Sequence, residues 1–81
     1  MMHPEQVEKI IAAGLPCEHL QVTGDGHHFE ALIVSAAFAG KNRVQRQQLV
    51  NGVLRLLFDS GELHALSMKT RTPDEWSAAC G

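Results

Sequence analysis

Apolar and polar positions along the chain alternate between helical and extended periods. After Pro4, a residue that a first helical turn tolerates, Val7, Ile10, Ile11 and Leu15 recur at helical spacing, and Gly14 offers a C-cap. The pattern predicts a first helix over about Pro4 to Ala13. From His19 to Thr23 the residues alternate, with Leu20 and Val22 on one face, until Gly24-Asp25-Gly26 gives a strong turn signal. The next run, His28 to Ser35, is rich in β-formers and apolar on both faces at its centre. A connection this short implies an antiparallel hairpin, and the second strand is expected to be central in its sheet.

Ala36-Ala37-Phe38-Ala39-Gly40 breaks that strand. The segment Arg43 to Ser60 carries Val50, Val53, Leu54 and Leu57 as a core face, which predicts one long helix ended by Gly61. Glu62 to Thr70 returns to a two-residue alternation that puts His64, Leu66 and Met68 on one face and Leu63, Ala65 and Ser67 on the other. Thr72-Pro73-Asp74-Glu75 reads as a capping box with Pro at the first helical position, so a short last helix runs through Trp76 to Ala79. Trp76 is read as core or edge packing. The resulting order is αββαβα, a two-layer α+β domain with a three-stranded mixed sheet. The helical crossover between strands 2 and 3 is long enough to allow them to pair in parallel by the right-handed route. Repeats, linkers and low-complexity stretches are absent, so residues 1–81 read as one domain.

A chain of 81 residues has room for one small core, which rules out a large multidomain enzyme. Its 44% hydrophobic and 20% charged residues are those of an ordinary globular protein. The formal net charge of −2 supplies no overall field toward nucleic acid or anionic lipid, so such binding has to come from a local patch. Lys41, Arg43 and Arg46 form one at the start of the long helix, where cations oppose the macrodipole. The alternative for these three is a solvated helix start. Cys17 and Cys80 are far apart and suit neither a disulfide scaffold nor a CxxC zinc site, which points to a reducing compartment. The opening Met1-Met2-His3-Pro4-Glu5 has no basic and apolar leader pattern, and no apolar stretch approaches the ~20 residues of a membrane span. A soluble cytoplasmic protein is expected.

Catalytic chemistry finds little support. Ser35, Ser60 and Ser67 lack a nucleophile-elbow context, Gly24-Asp25-Gly26 is not a phosphate loop, and Glu30 and Glu62 have no partner carboxylate at readable spacing. No enzymatic activity is expected. The compositional outlier is histidine, with five in the chain, of which His27, His28 and His64 are the candidate metal ligands. Their alternatives are ordinary polar turn residues and a satisfied strand histidine. Two histidines leave coordination positions open, so a metal held by them would be shared with another molecule.

Three blocks of sequence carry a family resemblance: Gly24-Asp25-Gly26-His27-His28-Phe29, then Phe38-Ala39-Gly40-Lys41-Asn42-Arg43 with Arg46, Leu49 and Val50, then Glu62-Leu63-His64-Ala65-Leu66-Ser67-Met68-Lys69-Thr70 followed by Thr72-Pro73 and Glu75-Trp76. Over about residues 5 to 76 the chain resembles the BolA-like family, and within it the bacterial YrbA/IbaG-type subgroup. The resemblance implies a fold similar to the class II KH domain and no enzymatic activity. It also implies a monothiol glutaredoxin as partner and a shared [2Fe–2S] cluster, ligated by a glutaredoxin cysteine, by glutathione, by the family's strand-3 histidine and by a group from the loop between strands 1 and 2. By motif the strand-3 histidine is His64. For the loop ligand His27 at the turn tip is the first choice and His28 the second, while Cys17 lies before strand 1 and does not match the loop cysteine of some relatives. No cluster is expected to bind tightly to the isolated protein. The family is also implicated in DNA binding and transcriptional control. In place of the KH G-x-x-G loop, however, this chain reads Gly40-Lys41-Asn42-Arg43.

Overall fold

Helix α1 spans Pro4–Gly14, and the backbone N–H of His3 opens it by donating to Gln6 Oε1 (2.8 Å). These coordinates are a computed structural model that describes residues 2–25 and 27–80. Gly26, part of the turn signal, lies outside them, as do Met1, Gly81 and the Cys80 side chain. Val7, Ile11 and Leu15 are buried, as their spacing predicts. Gly14 does not cap the helix: it is the last helical residue, and Leu15 is the extended C-cap. Its lack of a side chain serves packing instead, because a Cβ there would lie 2.6 Å from Val53 Cγ1 on the second long helix.

Strands β1 (His19–Gly24) and β2 (His28–Val34) form the expected antiparallel hairpin, with Val22 opposite Ala31. Strand β3 (Ala65–Arg71) pairs with β2 in parallel, giving the sheet order β1-β2-β3 with β2 central. Val22, Phe29, Ala31 and Ile33 enter the core, and Leu66 and Met68 pack against it from β3. α1 and α2 cover this face, and the architecture is the two-layer α+β arrangement that the pattern predicts.

After β2 the chain makes one 3-10 turn at Ala36–Phe38, in which Ser35 is wholly buried. Its hydroxyl donates to the Pro16 carbonyl and accepts from the Ala37 N–H, so the burial leaves no polar atom unpaired. The predicted long helix is two: α2 (Arg43–Val53) and α3 (Arg55–Ser60). Leu54 leaves helical geometry (φ −97°, ψ 7°) directly after the helix-weakening pair Gly52-Val53, and its side chain is fully buried at the bend. The apolar spacing runs through the bend unbroken, so periodicity gave no sign of it. Gly61 (φ 80°) ends α3 in the left-handed conformation, and Leu63, whose N–H donates to the Leu57 carbonyl, drops into the core.

That descent changes the reading of strand 3. β3 begins at Ala65, so His64 lies in the connection, outside the pleat that was expected to seat it with Leu66 and Met68, and it is exposed. The last helix, α4 (Pro73–Cys80), starts from the predicted capping box: the Thr72 N–H donates to Glu75 Oε1 (2.8 Å) and the Glu75 N–H donates to Thr72 Oγ1 (3.2 Å). Trp76 packs at the sheet edge, stacked on His19 with ring centroids 4.8 Å apart.

Candidate functional site: two ends of strand β3

The parallel β2–β3 ladder decides which candidates meet. His28 is the first residue of β2 and pairs with Ala65, the first of β3. His27 and His64 each precede that pair by one residue in the chain. All three histidines therefore lie at one end of the sheet, and all three are exposed.

Asp25 organises the hairpin side of this end. Its Oδ1 accepts the backbone N–H groups of both His27 and His28, each at 2.9 Å, and its own N–H donates to the His28 carbonyl. The bonds from His28 and then His27 hold the Asp25 carboxyl below the usual carboxylate range. Asp25 stands in the sequence only as a turn residue, yet it fixes the backbone from which both imidazoles project. Among the described residues no group of three or more His, Cys, Asp or Glu is placed to hold a metal ion. Cys17 is remote from these histidines: the thiol donates to the Leu15 carbonyl (3.3 Å), and burial pushes its pKa up, away from thiolate chemistry.

The cationic candidates lie along the second half of β3, beside Met68 to Arg71. Asn42 caps α2 by accepting the Gln45 N–H (2.9 Å), and Lys41 and Arg43 flank it, both exposed. Arg46 departs from its expected role. Its side chain is only 14% exposed, and it is spent on internal contacts. Nε donates to the Lys41 carbonyl, Nη1 to the Thr70 carbonyl and to Glu75 Oε1 (2.8 Å), Nη2 to Glu75 Oε2, and the guanidinium lies 5.9 Å from the Phe38 ring centroid. It ties α2, β3 and α4 together, which leaves Lys41 and Arg43 as the exposed cations of the predicted three. Two further cations join them. Lys69 and Arg71 line the same groove, so that five of the seven Lys and Arg residues of the chain surround it. Their only trace in the sequence is the i, i+2 spacing that puts both on one face of a strand.

Glu75 is held down to about 2, first by the Arg46 guanidinium and then by the Thr72 N–H. A depressed carboxyl stabilises the folded state above its unfolded value near 4.5, and that contribution disappears as the pH falls from there toward 2. Acid titration followed by the fluorescence of Trp76 on α4 is therefore expected to show Glu75→Gln with a flatter profile over this window than the parent. Superimposable profiles would mean that the ion pair does not hold α4.

The small α+β fold with its three-stranded mixed sheet agrees with what comparison finds. The BolA-like protein family model matches residues 3–75, and the chain belongs to that family. It is 34% identical over 76 residues to the acid stress protein IbaG of Escherichia coli K12, covering 94% of this chain and 90% of that protein. Among solved structures, a bol-like protein from Babesia bovis superposes with a TM-score of 0.86 at 35% identity, covering 100% of this chain and 96% of that one. The BolA domain of SufE1 from Arabidopsis thaliana gives 0.80 at 32% identity, covering 89% and 93% respectively. No enzyme family is indicated, and no helix among the described residues is long and apolar enough to cross a membrane.

Proposed function

We propose that this chain is a non-enzymatic partner of a monothiol glutaredoxin and shares with it a glutathione-ligated [2Fe–2S] cluster, in iron–sulfur trafficking or iron and redox sensing. The observation that carries this reading is the parallel β2–β3 register, which supports His64 as one ligand and His27, with His28 as the alternative, as the other. Asp25 holds the hairpin backbone so that a loop imidazole is presented rather than folded inward. Exposure of these rings lets a partner surface close over them, and that surface would supply the missing thiolates. Imidazole in place of thiolate gives such a cluster a higher reduction potential than sulfur ligation alone.

The test is anaerobic reconstitution, with the visible absorption and circular dichroism read in parallel. The isolated protein is expected to stay colourless, and a coloured complex is expected only when a monothiol glutaredoxin and glutathione are both present. A stable stoichiometric cluster on the isolated chain would overturn the shared-ligand reading, as would a glutaredoxin cluster whose spectrum ignores this protein.

A second reading, a DNA-binding regulator of stress or envelope genes, has the cationic groove in its favour. It predicts a steep salt dependence, with log K falling by about 0.9 per phosphate contact on a log scale of salt. A cluster partner gives none for DNA.

A further inference from the structure

The outer edge of β3 carries no partner strand among the described residues. The Arg71 carbonyl accepts the Ser35 N–H on the β2 side, so Leu66, Met68 and Thr70, which alternate with it, turn their N–H and C=O groups away from the sheet. The Thr70 carbonyl is already occupied by the guanidinium groups of Arg46 and Arg71. Among the described residues, no other strand pairs with the rest of that edge. It runs along the floor of the cationic groove. The pleat puts Lys69 and Arg71 on the open face of the sheet, opposite to Met68 and Thr70, whereas Lys41 and Arg43 approach from the α2 side. None of these four joins an ion pair among the described residues, and the only carboxylate in the groove, Glu75, is engaged by Arg46.

We infer that this edge receives an extended acidic segment of a partner protein, which adds to β3 as a fourth strand. The N–H and C=O of Met68 and the N–H of Thr70 would supply the ladder bonds, and cations on both sides would meet carboxylates at successive positions of the incoming chain. Phosphodiester backbone fits less well. It accepts hydrogen bonds but donates none, so the outward Met68 carbonyl would stay unpaired. The groove also offers no exposed aromatic ring on which a base would stack. The site is independent of the cluster proposal. It uses the half of β3 from Met68 to Arg71 and none of the three histidines.

The probe is a short Glu-rich peptide, titrated into the full-length protein at low salt and followed by amide hydrogen exchange. Slowed exchange at Met68 and Thr70 is expected. A Lys41→Glu, Lys69→Glu double variant should weaken binding by roughly tenfold or more, since each reversal replaces attraction by repulsion at a screened surface. Arg46 is left intact, and unchanged Trp76 fluorescence checks that the variant folds. The same peptide with alternate backbone nitrogens methylated should lose its binding, because strand addition needs those donors. Equal binding of the methylated peptide would overturn the inference, as would unprotected Met68 and Thr70 amides. So would a duplex DNA oligonucleotide that displaces the peptide from the groove at the same salt.

Discussion

Replacing His64 by alanine is expected to leave the melting temperature nearly unchanged while stripping the glutaredoxin complex of its imidazole-dependent visible spectrum. His64 is exposed and lies outside the β3 ladder, so its removal opens no cavity and orphans no buried partner. Surface substitutions of this kind stay within about 0.5 kcal/mol. Loss of a direct ligand is much larger. It should exceed the roughly 10–100-fold that removal of an outer-sphere partner costs a metal site, and appear as faster cluster release. His27→Ala and His28→Ala compared side by side then separate the two loop candidates, since only the ligand changes the spectrum. A markedly lowered melting temperature for His64→Ala with an unaltered spectrum would show the residue to be structural.

Phe38→Ala should have the largest effect on stability, roughly 3–5 kcal/mol for a wholly buried phenylalanine. Natural domains hold only about 5–15 kcal/mol, and one of this size loses several degrees of melting temperature per kcal/mol. The consequence reaches the groove as well. Phe38 supports the Arg46 guanidinium from below, and Arg46 in turn anchors Glu75 of α4. Denaturant unfolding measures the loss, and Phe38→Leu should recover most of it. A loss under about 1 kcal/mol would mean that the 3-10 turn repacks around the gap and does not depend on the ring.

The groove shows why candidate residues and sites are legible to different degrees. Cationic residues near Gly40 are visible in the sequence as a run, but a run does not reveal which of its charges is already spent. Arg46 is spent on Glu75, a residue 29 positions further on. Lys69 and Arg71 enter only because β3 lies beside the start of α2. Gly14 gives the same lesson in the core. Its position at the end of an apolar repeat suggests a cap, whereas a neighbour from another helix determines why no side chain stands there.

By itself, the sequence determined the order of elements, the hairpin, the Thr72–Glu75 capping box and the short set of histidines and cations from which a site could be built. All of these rest on local chemistry: side-chain period, turn residues, and hydrogen bonds between groups three positions apart. The tertiary structure decided the bend at Leu54, the exposure of His64 and the withdrawal of Arg46 from the surface. It also decided the parallel register that brings His27 and His28 to His64, and which charges face the free edge of β3. Those features depend on which strands pair and in what direction, and that choice is made by burying one shared apolar face across elements more than 30 residues apart.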